Sequence, residues 1–196
     1  MNKFIKILIV LSVFFLNGCA SSLISKPEEI NQLKKGNGVV FGSLRVNLKE
    51  VEGFEVNSLT NSSWLVLAIS KDLNYFTRRF KHNHITLKLD SDSIEVPFIA
   101  SLSEGEYEIH SIKNLDGALH LTMPVHVNFE VKENTTYYIG RINITVPSKF
   151  GAFDSIAWRS PIDVKIENNF DETYSLLSKK YGNNLGGNIQ EKFAKR

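Results

Sequence analysis

Cysteine occurs once in the 196 residues, methionine and tryptophan twice each, and proline five times. A single cysteine cannot form a disulfide within its own chain, so stability must come from packing. No apolar run reaches the roughly 20 residues that a helix needs to cross a hydrocarbon core. Excess charge is missing too: 23 basic against 21 acidic residues leave a net charge of +2. A nearly neutral chain has no general electrostatic pull on nucleic acid or anionic lipid. The sequence also lacks a Gly-x-Ser-x-Gly elbow, a His-Glu-x-x-His pair, a phosphate loop and a dinucleotide loop. Acids and serines are plentiful, but no spacing singles out a pair.

The one cysteine stands at an informative place. Lys3 and Lys6 open the chain, and Ile7 to Leu16 is apolar except for Ser12. A run this short suits the apolar region of a signal peptide. Small Gly18 precedes Cys19, as a peptidase site requires. Leu16-Asn17-Gly18-Cys19 resembles a bacterial lipobox, with Asn17 where Ala or Ser is more usual. The resemblance implies cleavage between Gly18 and Cys19 and a covalent lipid on Cys19, a diacylglyceryl thioether with an N-acyl chain. Two or more acyl chains hold firmly, at about 0.8 kcal/mol per buried methylene. In such lipoproteins Ala20 rather than Asp after the cysteine implies the outer membrane, facing either the periplasm or the surface. No other cofactor is expected. Loss of Lys3 and Lys6 lowers the basic count from 23 to 21, which equals the 21 acids. The Asn-x-Ser/Thr matches at Asn61, Asn134 and Asn143 carry no weight in a bacterial host.

The rest divides into three stretches. Residues 19–37 hold the lipidated Cys19, a seven-residue tether and a short helix. Ser25 caps that helix, Pro27 and Glu28 open it, and Gly36 and Gly38 end it. The tether spans at most roughly 25 Å, which keeps the domain near the membrane. Residues 38–168 switch to a period of two. Both faces of 39–46 are partly apolar, and Trp64 to Ile69 is a continuous apolar run. Ile85, Leu87 and Leu89 alternate with polar residues. Asp90-Ser91-Asp92-Ser93 turns, and Ile94, Val96 and Phe98 alternate again, which predicts a hairpin. Strands are also predicted through Tyr107, Ile109 and Ser111, through Val125 to Val131, through Tyr138, Gly140, Ile142, Ile144 and Val146, and through Ile162 to Ile166. Turn residues separate them. This pattern predicts a mainly β fold: an antiparallel β-sandwich of about seven to nine strands. No helix separates the strands, which argues against a parallel α/β sheet. Residues 169–196 form a C-terminal helical segment and tail. Asn169 caps a helix with Asp171 and Glu172 early and Lys179 and Lys180 late, and Gly182 ends it. Asn183 to Asn188 reads as flexible, and Ile189 to Arg196 as a weak helix or a frayed end.

Leu102-Ser103-Glu104-Gly105-Glu106-Tyr107, then Val127 to Val131, then Tyr137-Tyr138-Ile139-Gly140, together span residues 102–140. This order resembles the prealbumin-like (carboxypeptidase-regulatory-like, transthyretin-like) β-sandwich lipoproteins. In them a Leu-x-x-Gly-x-Tyr turn, two strands and a Tyr-Tyr-Ile-Gly strand follow one another. The resemblance implies a sandwich in which glycine serves a turn and the aromatics serve the core. It implies no activity.

Few residues offer chemistry. His82 and His84 would share one face of a strand and could share a metal. No third ligand is near, with His110, His120 and His126 scattered over other strands, so no metal is expected. Arg78, Arg79 and Lys81 form the one basic cluster, after Tyr75 and Phe76, and could hold an anion or an acidic partner. A solvated loop or edge strand accounts for them as well. Trp158-Arg159 before Pro161 reads as a strand edge. The sequence thus points to a non-enzymatic, lipid-anchored envelope module that binds a protein partner or supports an assembly, without nucleic acid. Two alternatives stand beside it. One is an outer-membrane lipoprotein of a type VI secretion apparatus. The other is a carbohydrate- or peptidoglycan-binding or enzymatic accessory.

Overall fold

The computed structural model describes residues 36–49, 56–57, 64–71, 83–88, 95–114, 122–147, 149–150, 163–182 and 189–195. Gly18, Cys19, the tether, the helix expected after Ser25, Arg78, Arg79, Lys81, His82 and Trp158 lie outside the described residues.

Each period-two segment becomes a strand where it is described. In chain order these are β1 (Asn37–Lys49), β2 (Val56–Asn57), β3 (Trp64–Ser70), β4 (Asn83–Lys88), β5 (Glu95–Ser103) and β6 (Gly105–Asn114). They continue with β7 (Thr122–Val131), β8 (Thr136–Pro147), β9 (Lys149–Phe150), β10 (Asp163–Glu167), helix α1 (Phe170–Tyr181) and β11 (Ile189–Glu191). The first sheet has the order β10-β8-β1-β5, with β11 also on β8. The second has the order β4-β3-β6-β7, and β2 and β9 form a small ribbon. The fold is mainly β and sandwich-like, as the alternation predicts.

The inner faces of the two sheets meet in one core. Val40, Leu44 and Val46 of β1 and Phe98 and Leu102 of β5 pack against Leu65 and Leu67 of β3 and Ile109 of β6. All five inward residues of β7 (Met123, Val125, Val127, Phe129 and Val131) join them. Burial of this kind supplies roughly 25 cal/mol per Å² of apolar surface.

Both faces of β1 are apolar because both are covered. Val39 and Phe41 point to the opposite side, where they form a second cluster with Ile99, Tyr138 and Leu177 of α1. The helix lies on the outer face of the first sheet as a third layer. Its termini match the sequence: Asn169 precedes it, Asp171 and Glu172 occupy the first turn, and Gly182 (φ 83°) ends it. The Asn169 side chain makes no capping bond and binds Glu172 instead. The Asn169 backbone N–H donates to the Tyr138 hydroxyl at 2.9 Å.

Four expectations need correction. Sheet pairing is antiparallel except at β1–β8 and β11–β8, which run parallel. Parallel partners need a long crossover, and the whole second sheet intervenes between β1 and β8. The hairpin predicted across Asp90 to Ser93 does not form. β4 pairs with β3 and β5 with β1, so the chain changes sheets there. Alternation shows that one face is buried, not which sheet buries it. Along β8, Tyr138 and Ile142 do not share a face. Phe41 pairs with Tyr138 but Ser43 with Arg141, so β8 holds one extra residue, a bulge at Gly140 (φ 105°). Tyr137 and Ile139 face the main core before it, and Ile142, Ile144 and Val146 after it. The C-terminal end is neither helical nor frayed. Ile189, Gln190 and Glu191 pair with Thr136, Tyr137 and Tyr138, and Lys195 then bridges to Asn128 of β7. A backbone ladder against β8 orders the segment, with Ala194 in the main core and Ile189 against the outer cluster.

Candidate functional site

Among the described residues, no group of three or more His, Cys, Asp or Glu is placed to hold a metal ion. His84 sits on β4 opposite Ala68 and is half-buried, with Thr86 and Lys88 further along the strand. His110 and His126, distant in sequence, approach one level of the second sheet, because the ladder between β6 and β7 shifts after Ile109. His126 stands at that shift with φ 52°, a conformation uncommon for a residue with a Cβ.

The shift creates a carboxylate–imidazole pair. Glu108 points to the outer face of the second sheet and is nevertheless buried. His126 Nδ1 donates to its Oε1 at 2.7 Å, while the His126 side chain remains 60% exposed. Two residues along β6, the Ser111 hydroxyl lies 3.0 Å from His110 Nδ1. A carboxylate that orients an exposed imidazole is half of an acid–base site. The Ser111 hydroxyl belongs to His110, so among the described residues the geometry gives no nucleophile paired to His126. Glu108 and His126 together offer two metal ligands, one fewer than a protein zinc site uses.

The second cluster lies under the start of α1. Arg141 projects from β8 beyond the bulge and is buried. Its Nε donates to Glu95 Oε1 at 2.9 Å, and its Nη2 reaches Glu95 Oε2 at 2.8 Å and Glu172 Oε2 at 2.5 Å. Glu167 of β10 lies 3.9 Å from Nη1 and accepts from Asn143 Nδ2 at 3.1 Å. Asn143 in turn accepts from Asn47. Burial works against the charged guanidinium. The Glu95 hydrogen bond and the Glu95, Glu172 and Glu167 charges outweigh it and hold Arg141 above its ordinary range. A guanidinium engaged by three carboxylates has no room for a ligand anion. Its chemistry is to fasten β5, β10 and α1 to β8 by a forked ion pair. Ser43 and Thr173, buried and 3.1 Å apart, add a second tie between β1 and the helix.

Neither cluster was marked by the sequence. The only trace of the second is Arg141 alone between Gly140 and Ile142 in an apolar strand. The basic cluster Arg78, Arg79 and Lys81 and the His82–His84 pair can be placed only through His84.

A third feature is the corner between the sheets. β5 ends at Ser103 and β6 begins at Gly105, so Glu104 alone carries the chain from one sheet to the other. The buried Tyr107 hydroxyl donates to the Ser103 carbonyl at 2.8 Å, and the ring stacks on Phe129 at 5.6 Å. This return bond to a carbonyl a few residues upstream is the geometry of a tyrosine corner. It gives the Leu-x-x-Gly-x-Tyr stretch a structural reason.

Among the described residues, the fold and these clusters define a β-sandwich module covered by helix α1. No protein-family model matches the chain, and no curated protein matches it. A solved leucine-rich repeat protein from Bacteroides thetaiotaomicron overlaps 60% of this chain at 16% identity, with a TM-score of 0.36. This chain spans 15% of that protein's length. A likeness at this level bears on neither fold nor function.

Proposed function

We propose that the protein is a non-enzymatic, lipid-anchored lipoprotein of the outer membrane, whose β-sandwich binds an envelope protein or supports an assembly. One observation carries the reading. The sole cysteine follows Leu16-Asn17-Gly18 directly after a basic start and a short apolar run. A prealbumin-like sandwich suits such a role, since packing alone maintains it where no disulfide is available. The charged cluster at Arg141 fits a structural tie better than a catalytic centre, because its carboxylates are consumed by the guanidinium. The test is Cys19→Ser with fatty-acid labelling and membrane fractionation. The expected result is loss of acyl incorporation and unprocessed or soluble protein. Membrane retention equal to wild type, with no acyl label in either, would end the lipoprotein reading.

A further inference from the structure

Residues 189–195 are held in an unusual way. They run parallel to the edge of β8 and then cross to the edge of β7, so they touch both sheets. The attachment is mostly backbone. Lys192 N–H donates to the Tyr138 carbonyl and Ala194 N–H to the Ile139 carbonyl, each at 3.0 Å. Asn128 and Lys195 exchange both of their backbone bonds, at 2.7 and 2.8 Å. Ala194 is buried in the main core, Ile189 packs half-buried against the outer cluster beside α1, and Phe193, edge-on to Tyr138, is 41% exposed. Lys192 pairs with Glu130 of β7.

This is the anatomy of strand addition: main-chain bonds supply affinity, and a few side-chain seats supply selectivity. The seats are a small pocket for a methyl group at 194, the outer apolar cluster beside position 189, and an acidic residue, Glu130, facing position 192. A segment fixed mainly by its backbone, with one fully buried methyl and a half-buried isoleucine, belongs to the part of a fold that opens most easily. Any other copy of this chain carries a segment that satisfies the same seats by identity. Exchange of an identical element is a low-cost route to a dimer.

We infer that the β8–β7 groove is a strand-docking site, and that its second occupant is residues 189–195 of another copy of this chain. The exchange conserves every contact and differs from the closed form by the cost of association, so it rises with local concentration. It does not depend on the lipid anchor.

The test uses the full chain with Cys19→Ser, which removes its one native thiol. One tagged chain carries Asn128→Cys and a differently tagged chain carries Lys195→Cys. They are mixed and oxidised with oxidised glutathione. Exchange yields a disulfide between unlike chains, above the share that random pairing gives and increasing with concentration. Glu130→Lys on the acceptor is expected to lower that yield several-fold. Lys192→Glu on the donor is expected to restore it. The Lys192 and Glu130 side chains are 46% and 40% exposed, and circular dichroism confirms that the variants stay folded. Unlike-chain disulfides no more frequent than random pairing would overturn the inference. So would a yield unchanged by Glu130→Lys.

Discussion

Tyr107 shows how one side chain can set a junction between sheets. Its ring fills the core against Phe129, and its hydroxyl holds the Ser103 carbonyl across the turn. Tyr107→Ala removes both and is expected to cost about 3–5 kcal/mol, the range for large aromatics. Tyr107→Phe removes only the hydrogen bond and is expected to cost about 0.5–1.5 kcal/mol. Gly105, next to the corner, holds φ 149°, and a Cβ there would meet only the movable end of Lys71 at 2.5 Å. Gly105→Val therefore acts through backbone strain, at about 1–3 kcal/mol. Glu106 is exposed, so Glu106→Ala stays within about 0.5 kcal/mol. Urea melts of the four variants check this order. Burial also pushes the Tyr107 phenol above its ordinary value of 10.0, with the Ser103 hydrogen bond opposing in part. A group whose folded value is raised stabilises fully below the unfolded value. That stability is lost as pH climbs from there through the folded value. Melts repeated above pH 10 are expected to fall less steeply for Tyr107→Phe than for wild type.

Helix α1 is an element whose presence was legible and whose place was not. Asn169, the early acids, the late lysines and Gly182 marked its ends. The apolar residues on both faces of β1 hinted that something lies outside the sheet. That the cover is α1 follows only from the second cluster, with Leu177 at its centre and wholly buried. Leu177→Ala is expected to cost about 2–5 kcal/mol. Hydrogen exchange should report it selectively: faster exchange for α1 amides and near-native protection for β6 and β7, which pack in the other cluster. Loss of protection everywhere would show that the helix and sandwich unfold as one unit. Strand positions were legible because a half-buried strand advertises itself by period two. Pairing was not. The bulge at Gly140 inverts the faces of β8 with no change in composition, and the change of sheet between β4 and β5 uses the same turn residues as a hairpin. The Glu108–His126 pair and the Arg141 cluster were invisible for the same reason. Each joins residues from strands that register, not sequence distance, brings together.

For the whole molecule, the proposed function gives the Leu16–Cys19 stretch and residues 189–195 separate attachments. In the proposed function the first holds the domain to a membrane, while the last seven described residues fasten one sheet to the other. The sequence marked the former, because a signal segment is a local pattern. It missed the latter, because a strand of three residues, Ile189 to Glu191, accepted at an edge by its backbone, is too short to show a period. Among the described residues, Glu130 is the carboxyl that pairs with the tie. Glu130 is held below its ordinary value of 4.5, first by the Lys192 hydrogen bond, against a smaller opposing effect of desolvation, with the Lys192 and Lys132 charges adding to the lowering. A carboxyl lowered in the folded state stabilises fully above its unfolded value, and that stability is lost as pH falls through the folded value. The pair is exposed, so the effect is modest and screened by salt. It acts on a weakly held segment. Protection of the Ala194 and Lys195 amides, corrected for intrinsic exchange, is therefore expected to be flat above pH 4.5 and to fall below it. Glu130→Gln should leave those amides less protected at neutral pH and remove the acid dependence. Protection of the β1 amides should follow neither change, because β1 lies between β8 and β5 inside the first sheet. If acid loosened β1 and the tail together, the last strand would be part of the cooperative core rather than a clasp upon it.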